Sequence, residues 1–193
     1  MRDIDVRQAL LTEMDRLHPD KTDTLVVEEL GLCQGIARVD LAVVNGTIHG
    51  YEIKSELDTL VRLKSQAEIY SKTLEFVTIV AASSHIPGIE NTVPPWWGIW
   101  SAIQIGQEVR LKESRKAKRN PSLAPEALVQ LLWREEALQI LLEHKLARGV
   151  ASKSRQHIWD RLCASFSVEE LGDLVRTSLK QRPSSWRGQS SQA

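Results

Sequence analysis

Apolar and polar positions along this chain fall into blocks, and the period of the blocks changes several times. Through residues 3–17 apolar side chains recur at helical spacing (Val6, Ala9, Leu10, Met14, Leu17), and Asp3 or Asp5 can cap the run. His18-Pro19-Asp20 ends it, because a residue before proline disfavours the helical region. Residues 24–30 are rich in β-formers and predict a strand, and residues 31–35 a loop. Residues 38–44 and 47–54 predict a hairpin about Asn45-Gly46, a pair that tolerates positive φ. Residues 57–73 predict a helix that packs through Leu57, Leu60, Val61 and Ala67. Residues 76–82, FVTIVAA, form a short unbroken apolar run, as in a strand covered on both faces. Residues 96–104 predict a further strand after Pro94-Pro95, and residues 109–112 pair with it around Gly106.

The pattern then changes character. Residues 113–124 are basic and turn-rich and read as a linker, and three helices are expected near residues 125–145, 153–165 and 167–181. Ser152 and Ser167 are candidate caps, and Ser167 with Glu170 fits the capping-box spacing. This order predicts an α/β core over residues 1–112, a mixed central sheet flanked by helices. An all-helical C-terminal region over residues 125–182 and a disordered Ser/Gln-rich tail over residues 183–193 follow. The helix between the hairpin and residue 76 predicts a crossover to a parallel strand.

Composition narrows the classes. With 193 residues, 42% of them hydrophobic, the chain can bury a sizeable core. Its formal net charge of zero means that any polyanion must be held by local patches. Cys33 and Cys163 are far apart and lack metal spacing, which fits reduced thiols in a cytoplasmic protein. No apolar run is long enough to span a bilayer. The five histidines show no zinc spacing, His49 reads as an exposed turn residue, and no phosphate-binding glycine loop is present.

The chemistry concentrates between Arg38 and Lys54. Strand alternation places Asp40, Ala42 and Val44 on one face and Val39, Leu41 and Val43 on the other; Glu52 and Lys54 share a face. A two-residue turn would set Asp40 opposite Tyr51, whereas a three-residue loop or a bulge sets it opposite Glu52. In the second register two carboxylates converge and repel unless a cation lies between them or one takes up a proton. A hard divalent ion such as Mg²⁺ suits such oxygens, and Lys54 would sit beside it, with Ala42 and Gly50 leaving room for a ligand. An ordinary cross-strand ion pair is the other reading. On the next helix Asp58, Arg62, Gln66 and Tyr70 recur every four residues, either as a solvated stripe or as a face turned to the carboxylates. In the second case Gln66 places Lys54 or substrate, Tyr70 reaches a phosphate or base, and Arg62 meets a backbone phosphate.

Asp40, then Glu52-Ile53-Lys54, then Gln66-Ala-Glu-Ile-Tyr70 resembles the PD-(D/E)XK nuclease superfamily, in particular RecB-type members with a QxxxY motif. The wider string, with Trp96-Trp97-Gly98-Ile99 and the segment around Leu131-Leu132-Trp133-Arg134, resembles a bacterial family of small nuclease-like proteins. Val39 stands where the superfamily name has proline. The resemblance implies a restriction-endonuclease-like core and Mg²⁺-dependent cleavage of phosphodiesters, with Mn²⁺ as a substitute and a 5′-phosphate product. It implies that Asp40, Glu52 and Lys54 are catalytic, with Gln66 and Tyr70 in support, and that Asp40 and Glu52 bind metal. An upstream acid completes the set, Glu29 first, with Glu28 and Glu13 as alternatives. Arg38, Asp58 and Arg62 are the substrate-binding candidates.

The expected function is therefore a metal-dependent nuclease of DNA, with RNA as a second substrate. The alternative is a non-catalytic module that keeps the fold and holds nucleic acid or protein. A homodimer or protein partner would use the C-terminal helices, and no membrane is involved. The basic stretch from Arg110 to Arg119 can follow a phosphate backbone or serve as a solvated linker. Trp96, Trp97 and Trp100 suit a core more than base stacking, and Trp133 and Trp159 read as packing residues.

Overall fold

One six-stranded sheet carries the molecule, and its strands lie side by side in chain order. The computed structural model describes residues 1–183, 185 and 186. The elements are α1 (Asp3–Leu17), β1 (Leu25–Leu32), β2 (Ala37–Val44), β3 (Ile48–Lys54), α2 (Leu63–Thr73), β4 (Phe76–Ala82), α3 (Ile86–Glu90), β5 (Gly98–Ile105) and β6 (Glu108–Arg115). They are followed by α4 (Pro125–Leu128), α5 (Arg134–Glu143), α6 (Arg155–Ser165) and α7 (Val168–Gln181). β1, β2 and β3 form an antiparallel meander; β3, β4 and β5 run parallel, and β6 returns antiparallel. The protein is thus of the α/β class, a mixed sheet flanked by helices with a helical C-terminal region.

Each face of the sheet is covered. On one side α1 presses Val6, Leu10 and Met14 onto Leu41, Val43, Tyr51, Ile53, Val80 and Trp100. Each such aliphatic side chain contributes roughly 1.5–3 kcal/mol by leaving water. On the other side α2 and the C-terminal helices pack onto Val27, Ala42, Ile48, Val77 and Ile79. The helical region therefore shares the main core of the sheet rather than standing apart from it.

The basic segment is also tied down. β6 runs on to Arg115, inside the stretch expected to be a linker. Asn120 is buried and donates its side-chain amide to the carbonyls of Ser71 and Leu74. Beside it, buried Glu75 accepts from the Ile48 amide, from Arg176 on α7 and from Arg119. On β6 the exposed Arg110 and Lys112 give the free sheet edge a charged row, which discourages pairing with another chain.

Several local expectations change. The helix expected over residues 57–73 starts only at Leu63, because Asp58 folds back onto Ser55 and accepts from both its amide and its hydroxyl. Leu57 and Val61 consequently lie in an exposed loop instead of packing. The helix expected over residues 125–145 is broken at Leu132-Trp133, where the Glu136 carboxylate accepts the Trp133 amide and starts α5 afresh. Trp133 is about half exposed rather than in the core, and packs against the Arg182 guanidinium and the edge of Trp186. Ser154 rather than Ser152 precedes α6, whereas Ser167 and Glu170 form the expected capping box. Trp96, Trp97, Trp100 and Trp159 are buried as expected of core residues. The expected tail falls mostly outside the described residues; Trp186, within them, is buried and lies against Arg182.

Candidate active site

The hairpin register decides whether the acids meet. β2 and β3 pair Leu41 with Tyr51, Ala42 with Gly50, Val43 with His49 and Val44 with Ile48, which makes a three-residue loop of Asn45-Gly46-Thr47. Asn45 closes this loop itself, since its side-chain oxygen accepts the Thr47 amide. Continued by one residue, the register sets Asp40 opposite Glu52. Past Leu41 the strands part, and Asp40 Oδ2 accepts the Ile53 amide at 2.7 Å in place of a strand carbonyl.

The parting has a cause in β1 and β2. Their ladder omits the step from Glu29 to Asp40, and Glu29 takes a left-handed φ of 56°. Beyond it Leu30 and Val39 pack in the same core as Val27 and Ala42, so the simple alternation expected of β2 breaks at Asp40. The turn after β1 is left-handed too, at Cys33, Gln34 and Gly35. A non-glycine residue in this region costs about 1–3 kcal/mol, and such strain collects at functional sites.

A cavity of about 470 Å³ opens at this point. Glu29, Arg38, Asp40, Glu52, Lys54, Asp58, Arg62 and Gln66 all line it. Of the three upstream candidates only Glu29 reaches it; Glu13 pairs with Arg16, and Glu28 lies 3.6 Å from Arg7. Glu52, 2% exposed, is held by three donors. Lys54 Nζ and the Gln66 side-chain amide donate to Oε1, each at 2.6 Å, and the Tyr70 hydroxyl donates to Oε2 at 2.6 Å. Tyr70 is fully buried and also lies 2.7 Å from the Arg38 carbonyl, so it orients Glu52 from behind and does not reach out to a phosphate or base. Gly50 leaves no room for a ligand either: a Cβ there would meet Leu74 Cδ1 at 2.5 Å.

Electrostatics follow from this crowding. Burial first, and then the neighbouring Glu52 carboxylate, raise the Asp40 pKa to about 7, against the pull of the Ile53 amide, Arg7 and Lys54. Burial and the charge of Glu52 likewise hold the Tyr70 phenol in its protonated form. Arg7 of α1 was not singled out by sequence pattern, because it sits within an ordinary charged helix face. It donates to Asp40 Oδ1 and to Glu29 Oε1, each at 3.1 Å, and to the Asp40 carbonyl at 3.1 Å. Burial alone would lower its pKa; Asp40, Asp3 and Glu29 more than reverse that. The only sequence hint was its place one helical turn past Asp3.

With Arg7 among them, the acids do not form a closed ligand cluster: among the described residues no three His, Cys, Asp or Glu side chains group as a metal site. The donor chemistry nevertheless fits a hard cation. The acids supply only oxygens, and Gln66, which lines the same cavity, has its Oε1 buried without a partner. Ile36, exposed, also lines the cavity. His49 lies apart from it, half-buried rather than exposed, bonded to Thr78 and stacked on Tyr51.

The family pattern described as bacteriophage P4 protein cII matches residues 1–189. The chain belongs to this family. Protein cII of Enterobacteria phage P4 is 26% identical over 163 residues, 83% of this chain and 60% of the phage protein. The chain therefore spans about three fifths of that relative's length. A solved protein of unknown function from Silicibacter pomeroyi matches with a TM-score of 0.46 and 19% identity, over 80% of this chain and 98% of the other. Among the described residues no helix is long and apolar enough to cross a membrane.

Proposed function

We propose that this member of the P4 cII family is a divalent-metal-dependent nuclease of the PD-(D/E)XK kind, acting on DNA. The observation that carries the reading is Glu52, buried on the cavity floor by Lys54, Gln66 and Tyr70, with Asp40 close enough to be pushed toward protonation. Structural ion pairs do not need a second acid at that position. Asp40 and Glu52, with Glu29, are the groups that would hold Mg²⁺ or Mn²⁺, which when bound would activate water and offset charge on the phosphate. Lys54 Nζ lies 2.6 Å from Glu52 and has further N–H groups to offer a phosphate oxygen on which charge grows. Tyr70 and Gln66 fix Glu52 in one orientation, so no reorganisation is needed during reaction. Arg38 and Arg62, both exposed at the cavity, are placed for the phosphates on either side.

The alternative is a binding module, and one observation favours it: Arg7 already neutralises Asp40 and Glu29. A cleavage assay separates the two. Linear, circular, branched and single-stranded DNA, and RNA, are incubated with Mg²⁺ or Mn²⁺. Cutting is expected with metal, and Lys54→Met is expected to slow it by roughly 10²–10⁴-fold. Cutting that continues at the native rate in both Lys54→Met and Asp40→Asn would remove the site assignment. Binding without cutting by the native protein would favour the module.

A further inference from the structure

Arg7 stands where a cation belongs. We infer that its guanidinium is the resident counter-ion of the acid cluster, and that a divalent metal enters by displacing it from Asp40 and Glu29. The inference rests on the metal-dependent reading of the same cavity.

The oxygen inventory forces the competition. Asp40 Oδ2 is tied to the Ile53 amide, so Oδ1 is its remaining oxygen, and Arg7 holds it at 3.1 Å. Glu29 Oε1 is held by the same nitrogen of Arg7, and its Oε2 lies 3.8 Å from Arg38. Glu52 accepts Lys54 and Gln66 on Oε1 and Tyr70 alone on Oε2, so only Oε2 keeps a lone pair for a metal. A metal drawing on Asp40 and Glu29 therefore meets the guanidinium at their oxygens, and the two positive charges repel.

Arg7 cannot yield by losing its proton, since a guanidinium stays charged in proteins. It must move. The helix that carries it stays, because Val6 and Leu10 on either side are fully buried. The side chain has somewhere to go: Nε donates to Asp3 Oδ1 at 3.3 Å, and Nη1 lies 3.6 Å from Glu28 Oε2. Asp3 and Glu28 are both about half exposed, at 48% and 49%. Arg7 can therefore release the two inner acids while keeping the two outer ones. The arginine has two stations, and metal selects between them.

Binding can be read without any activity. Protein stripped of metal with EDTA is titrated with Mn²⁺ by calorimetry, as native chain and as Arg7→Gln. The variant is expected to bind Mn²⁺ more tightly, by on the order of tenfold. In parallel, the ¹⁵N-edited spectrum of the native chain is followed as Mg²⁺ is added, with the Arg7 Nε–H signal assigned by its loss in Arg7→Gln. That signal is expected to shift with the same affinity for Mg²⁺ as a Mg²⁺ calorimetric titration of the native chain gives. If the native chain binds metal but Arg7→Gln binds equally or less tightly, or the Arg7 signal stays still, the displacement is wrong while the metal site stands. If the native chain binds neither Mn²⁺ nor Mg²⁺, the metal-dependent reading falls and takes the displacement with it. Should Arg7→Gln fail to fold, the native spectrum with Arg7→Lys as the assigning variant decides alone.

Discussion

Two buried glutamates, Glu52 and Glu75, each meet a basic residue, and their surroundings differ in kind. Glu75 is 1% exposed and sealed in: Arg176, Arg119 and the Ile48 amide satisfy it, and it lines none of the cavities described above. Glu52 is equally buried but opens onto a cavity, beside a second acid and an amide oxygen with no partner. The first cluster, in which Arg176 also pairs with Asp173, matches its acids with cations and holds elements together. The second has acids to spare, strained backbone beside it, and a vacant acceptor. A balanced and closed ion cluster serves the fold; an unbalanced and open one is poised for a ligand.

The comparison can be broken by substitution. The largest effect on stability is expected at Arg176→Met, which strands Glu75 in the core. Breaking a buried pair from one side costs about 3–5 kcal/mol, measured by urea unfolding monitored by tryptophan fluorescence. A loss under ~1 kcal/mol would mean that Glu75 is not structural in this sense.

Next comes Asp40→Asn, read as a change in pH dependence. The folded-state pKa of Asp40 is about 7 against an ordinary 3.8, so between these values the folded chain retains a proton that the unfolded chain releases. Stability from this group therefore falls as pH rises from about 4 to 7, by no more than ~1.4 kcal/mol per pH unit. His49, lowered by burial to about 4 from 6.5, contributes the opposite slope below 6.5. The Asp40 component is thus the difference between native and Asp40→Asn curves in metal-free buffer, and identical curves would remove it. The smallest effect is expected at Arg119→Ala: its side chain is 57% exposed, and such pairs are worth ~0–1 kcal/mol. A loss matching that of Arg176→Met would show that both cations are needed to balance Glu75.

Much of the frame was legible in the residues. The order of the elements, the hairpin and the crossover to a parallel strand follow from periodicity, which left two hairpin registers open; the one observed is the three-residue register that brings Asp40 to Glu52. The reason usually given for Asn-Gly turns did not apply, since neither Asn45 nor Gly46 adopts positive φ. Periodicity missed what depends on partners distant in sequence. Leu57 and Val61 fit a helix until Asp58 turned back on Ser55. Arg7 looks like one more charge on α1 until β1 kinks at Glu29 and delivers acids to it. Glu75 was invisible because its main partner lies 101 residues away. Val39 changed side because a left-handed glutamate on the neighbouring strand reset the pleat, and nothing in its own segment signals that.

Glu75 also bears on the order in which the chain can settle during synthesis. It enters the interior at the start of β4, early in the polypeptide, while the guanidinium that neutralises it there arrives only with α7. A nascent chain that has completed the whole sheet still carries there a carboxylate that lacks its buried arginine partner. The sheet is thus held back until α7 leaves the ribosome, and a prematurely released fragment would remain soft at that spot.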